Sequence, residues 1–180
     1  MNRLPKRRQV GALQKPNTAS DLVNRIRTEL GEQSISALYG QLVLSGRSRQ
    51  YQLDAERRGG RTEIMHTLLG VELKIGRRRL LCPDLSTARY LEVFARLGVD
   101  LIAVPYDISQ ISRIADEFDR AWHRALLLVE HFALGRSDRL RNKVQKTLLD
   151  QTRAEINRLG AGTKIPVFNQ NTKQRRAAKP

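Results

Sequence analysis

The residue types best able to do chemistry are concentrated between Gly70 and Asp84, in the run GVELKIGRRRLLCPD. Glu72 and Lys74 are two apart, so on a strand they project from one face. With Asp54 upstream, two carboxylates could hold Mg²⁺ while Lys74 orients or activates a water for phosphodiester hydrolysis. The same run carries Arg77, Arg78 and Arg79 behind Gly76, and a stretch before it carries Arg57, Arg58 and Arg61. Guanidinium groups bind phosphate as a two-pronged donor and stack on exposed bases, which an ammonium group does not do. The run therefore offers two chemistries toward a polyphosphate: cutting it or holding it.

The order Asp54, then Glu72-Leu73-Lys74, on strands that follow a helix, partly resembles the PD-(D/E)xK nucleases. That resemblance implies a Mg²⁺ site with Asp54 and Glu72 as ligands and Lys74 beside the attacking water. Two features depart from the pattern. Pro83-Asp84 follows the Glu-x-Lys and fits a helix cap, and the strand runs on through a turn into another strand, as a hairpin does. Alternating patterning also produces Glu-x-Lys wherever outward positions are filled with charges that pair across strands. The structural reading of Glu72 and Lys74 is preferred, and the nuclease stands as the alternative.

Other reactive motifs fail on spacing. Gly160-Ala-Gly-Thr-Lys164 reverses the Lys and Thr of a phosphate loop and closes a helix instead of opening one. Cys82 excludes an internal disulfide and is expected as a small core hydrophobe, and His66, His123 and His131 match no zinc spacing. No cofactor or resident metal is expected. Tyr51 and Tyr106 offer base stacking, with packing preferred for both.

Charge is the strongest signal, 33 Lys and Arg against 18 Asp and Glu for a net +15. Residues 1–17 hold Arg3, Lys6, Arg7, Arg8 and Lys15 with no acid, and residues 164–180 hold Lys164, Lys173, Arg175, Arg176 and Lys179 with no acid. Runs of like charge resist folding, and a phosphate backbone relieves the repulsion while releasing counterions. Two basic arms, 1–17 and 161–180, are therefore expected around one domain at 18–160. No apolar run reaches the roughly 18 residues of a membrane span, and no apolar segment follows the charged start, so a cytoplasmic protein is expected.

The positioning elements follow from periodicity. Thr18 with Asp21 reads as a capping box opening a helix that carries Leu22, Ile26 and Leu30 and stops at Gly31. Ile35, Leu38 and Leu42 give a second helix to Gly46. Short runs from Tyr51 to Cys82, broken at Gly59-Gly60 and Gly76-Arg77, predict a three- or four-stranded antiparallel meander with basic tips. Asp84 caps a helix to Gly98, with Arg89, Glu92 and Arg96 expected on its solvated face. Residues 99–105 read as a buried strand stopped by Pro105. Two long helices follow, roughly 108–134 and 137–159, the first about 40 Å long and expected as the spine.

The expected class is α+β: a small meander packed with helices, one helix-strand crossover, and two long C-terminal helices. The expected function is non-catalytic binding of nucleic acid, as part of a ribonucleoprotein, with RNA preferred over DNA. The gripping residues would be Arg7, Arg8, Arg57, Arg58, Arg61, Arg77, Arg78, Arg79, Arg139, Arg141, Lys143, Lys146, Arg175 and Arg176. Besides the nuclease, a third reading is an adaptor that uses the long helices to hold a partner or a second copy of the chain.

Overall fold

The structure, a computed structural model, describes residues 18–53 and 61–163. Asp54, Arg57, Arg58 and nearly all of both predicted arms, including Arg7, Arg8, Arg175 and Arg176, lie outside the described residues. The fold is α+β: helices with two small antiparallel sheets.

Helix α1 (Ala19–Leu30) opens on the predicted capping box: the Thr18 hydroxyl accepts from Asp21 N–H, and Asp21 accepts from Thr18 N–H. The second helical segment is more irregular than its periodicity predicts. Helix α2 (Ile35–Leu38) passes directly into a π-helical stretch, Tyr39–Leu44, closed by a bond from Ser45 N–H to Gly40 O. Tyr39, one α-helical turn after Ile35, is buried, and the wider turn that follows brings Val43 to the core while Leu38 and Leu42 are only half-buried.

Strand β1 (Ser48–Gln52) and strand β5 (Leu101–Pro105) form one antiparallel pair, with Gln50 opposite Ala103. Strands β2 (Thr62–Thr67), β3 (Gly70–Ile75) and β4 (Arg78–Cys82) form the second sheet, a three-stranded meander. The strand predicted from Tyr51 therefore does not join the meander. Its backbone bonds go to a strand some fifty residues later, a pairing that local patterning does not encode.

Helix α3 (Leu85–Leu97) is capped by Asp84, which accepts from Thr87 N–H at 2.7 Å, and ends at Gly98 in the left-handed region, φ +68°. It lies between the meander and helix α4 (Ile111–Phe132), and nine of its thirteen residues are buried. The expected spine, α4, buries only one stripe, so the short helix and not the long one is central. The supposed solvated face of α3 is also packed. Arg89 bonds to Asp116 and Asp119 of α4, while Glu92 is buried, accepting from Arg96 and from the Thr62 hydroxyl of β2.

The main core centres on Phe94, with the rings of Tyr39, Tyr90 and Phe118 at centroid distances of 5.2–5.4 Å from it in edge or tilted contacts. A second core joins Leu22, Val23 and Ile26 of α1 to Val129 of α4 and to Val144 and Leu148 of helix α5 (Asp138–Leu159). That packing uses the apolar stripe of α5 within the chain. Of its large apolar residues only Leu159 is exposed, which leaves little apolar surface on α5 for the partner or second copy of the third reading. No described helix is long and apolar enough to cross a membrane.

Candidate nucleic-acid interface

Alternation along β3 turns Leu73 and Ile75 inward against α3 and puts Glu72 and Lys74 together on the opposite face. Cross-strand partners then decide their surroundings. Glu72 stands between Met65 and Leu81 and is only 8% exposed, while Lys74 stands between Glu63 and Arg79. One Glu72 oxygen accepts from the Thr67 hydroxyl at 3.2 Å; the other makes no hydrogen bond and has the Arg79 guanidinium at 3.7 Å. Lys74 is 3.7 Å from Glu63. Two cross-strand ion pairs, Glu63–Lys74 and Arg79–Glu72, thus flank the like-charged neighbours Lys74 and Arg79. Among the described residues no three of His, Cys, Asp and Glu group as metal ligands. Cys82 is buried in the core, and burial pushes its thiol pKa up.

The arginines divide by what they touch. Arg27, Arg79, Arg89, Arg96, Arg120, Arg141 and Arg153 face carboxylates. The clearest case is Arg89, which grips one Asp119 oxygen through two nitrogens at 2.6 and 3.0 Å, with Asp116 at 2.8 Å. The Asp119 bond pushes the already high guanidinium pKa further up. By contrast Arg47, Arg49, Arg61, Arg77, Arg113, Arg139, Lys143, Lys146 and Arg158 are exposed and make no ion pair with the described residues.

Three of the expected gripping residues share one end of the meander. The antiparallel register places Thr62, just after Arg61, opposite Ile75, and Gly76 N–H donates to Arg61 O at 3.0 Å. Gly76 takes φ +57°, the left-handed turn conformation that glycine adopts without strain, and it brings Arg77 and Arg78 round to the same end. Arg79 is directed elsewhere, toward Glu72.

On α5, Arg139, Lys143 and Lys146 recur at i, i+4 and i+7, so they fall on one exposed stripe. Arg141 does not belong to it. It turns back to bridge Asp138 and Glu130, tying the start of α5 to the end of α4.

Sequence reasoning passed over Arg47 and Arg49, two apart and both exposed on entering and within β1. Their signal was available in the alternation of GRSRQYQ, which has no acid to pair with them. Tyr51 packs against the core as expected, but Tyr106 is 56% exposed. The opposite end of the meander is apolar, with Leu68 and Leu69 fully or largely exposed in the β2–β3 turn. Comparison with protein-family models, with curated proteins and with solved structures finds no match for the chain.

Proposed function

We propose that the protein binds nucleic acid without cleaving it, RNA in preference to DNA, within a ribonucleoprotein in the cytoplasm. One observation supports this most: nine exposed Lys and Arg side chains of the folded part lack any carboxylate partner among the described residues. Acids were close enough in sequence to neutralise some of them, yet those acids cap helices or pair with other arginines. Asp84 and Asp107 cap, and Asp116 and Asp119 hold Arg89. The unpaired cations add to the positive field of the two basic arms, and phosphates are the matching counter-charge. The predominance of arginine favours RNA, whose unstacked bases accept guanidinium stacking.

The test is a binding titration of the full chain with RNA and DNA oligonucleotides across a salt series. Affinity should fall steeply, each phosphate contact on duplex DNA contributing about −0.9 to the slope of log affinity against log salt and each on a single strand about −0.7. The oligonucleotides should be recovered intact, with or without Mg²⁺. Binding that ignores salt, or cleavage that Glu72→Ala abolishes, would defeat the reading.

A further inference from the structure

We propose that the cleft where the chain enters β1 is a stacking subsite for one unpaired nucleobase, with Tyr106 as the platform and Arg47 as the phosphate contact. The inference rests on the nucleic-acid reading and gives it a substrate class: single-stranded RNA.

The cleft is lined by Gly46, Arg47, Ser48, Tyr106 and Thr163 and has a volume of about 630 Å³. That lies within the roughly 300–1,000 Å³ of small-ligand sites. Its walls are held by backbone. Tyr106 N–H donates to Arg47 O at 3.1 Å, which fixes the two side chains' origins side by side. On the other flank of Tyr106, Asp107 accepts from Ser109 N–H at 3.0 Å and from the Gln110 amide at 2.8 Å, so the chain leaves in a rigid turn. Thr163 bridges to β1, its N–H on Ser48 O at 3.4 Å and its carbonyl accepting from Gln50 N–H at 3.0 Å. Behind it Gly162 is seated so closely that a Cβ would come within 2.7 Å of the Ser48 hydroxyl.

On this fixed frame the polar and aromatic groups are uncommitted. The Tyr106 ring contacts no other ring and no cation among the described residues, and Arg47 and the neighbouring Arg49 have no carboxylate. An exposed aromatic beside unpaired arginines in a concave site is the arrangement by which single strands are held, the bases stacking and the guanidinium groups following the backbone. A duplex keeps its bases stacked inside and cannot offer one to the ring. The subsite therefore separates single-stranded from double-stranded ligand.

Fluorescence anisotropy of the full chain with a labelled single-stranded RNA and with the matching duplex tests this, using Tyr106→Ala, Tyr106→Phe and Tyr106→Trp. Tyr106→Ala should weaken single-strand binding by roughly 5- to 100-fold. Tyr106→Phe should bind nearly as the wild type does, and duplex binding should change little in either variant. Tyr106→Trp should retain affinity, and the emission it adds to that of Trp122 in the wild type should be quenched by the single strand, a readout that holds even if Tyr106→Ala proves poorly folded. Undiminished single-strand binding by folded Tyr106→Ala, an equal loss on the duplex, or absence of quenching would overturn the subsite while leaving the broader reading intact. A wild-type protein that binds neither ligand would sink both.

Discussion

At the residue scale, Ala103 shows how a two-stranded sheet is completed without a third strand. It faces Gln50 across the β1–β5 pair with both main-chain groups turned away from β1. Tyr39 accepts from its N–H at 2.8 Å and donates its own hydroxyl to Gly160 O at 2.8 Å, while Tyr90 donates to its carbonyl. Tyr39→Phe keeps the ring but leaves the Ala103 N–H and the Gly160 carbonyl unpaired, which should cost about 1–3 kcal/mol in denaturant unfolding. Burial raises the pKa of both phenols, Tyr90 the more strongly. The folded state then holds these protons to higher pH than the unfolded chain. Their stabilising contribution is complete below about pH 10 and is lost as pH rises beyond it. Melting curves from pH 8 to 11 should show Tm falling at the alkaline end, less steeply in Tyr39→Phe. The sequence did not single out this pair, because the apolar periodicity of Ile35, Leu38 and Leu42 describes a stripe that omits Tyr39, although Tyr39 follows the buried Ile35 by one α-helical turn.

At the scale of elements, helix ends were legible and strand partners were not. Thr18 and Asp84 cap their helices as expected, and Ser137 caps α5 in the same way, since a cap is a contact between residues three apart. The pairing of β1 with β5 joins distant segments, and only the folded chain decides it. The polar face of α3 was misread for a related reason. Arg89, Glu92 and Arg96 have the spacing of a solvated stripe, yet carboxylates from α4 and a hydroxyl from β2 meet them. The link between α3 and α4 should be measurable: Arg89→Ala should cost about 1–2 kcal/mol, the partial exposure of the pair reducing its worth. Arg89→Lys should recover only part of that, because an ammonium cannot reproduce the two-nitrogen grip on Asp119. An Arg89→Lys protein as stable as the wild type in urea titration would show that the fork geometry does not matter.

For the molecule as a whole, the excess of positive charge was legible in composition, while the division of labour among the arginines appeared only in three dimensions. In sequence Arg77, Arg78 and Arg79 look equivalent, and so do Arg139 and Arg141. In the fold Arg79 and Arg141 balance carboxylates, whereas Arg77 and Arg139 have none among the described residues. On the proposed nucleic-acid reading, grip and stability would be carried by different cations. The double variant Arg61→Ala with Arg77→Ala should keep its Tm within about 1–2 °C while losing roughly two phosphate contacts' worth of salt slope. Arg89→Ala should do the reverse, lowering Tm and leaving the slope unchanged. Loss of stability in the first variant, or of salt dependence in the second, would mean that the two roles are not separate.

The bridge between Thr163 and β1 has a mechanical consequence. Residues 160–163 leave α5 tied by Tyr39 to the Gly160 carbonyl and then run parallel to β1. Tension applied to the chain beyond Thr163 would load those bonds lengthwise, in shear, before it could unwind α5. A ligand that tugs on the C-terminal segment would thereby pull at the edge of the small sheet, beside the Tyr106 cleft, instead of loosening the helical bundle.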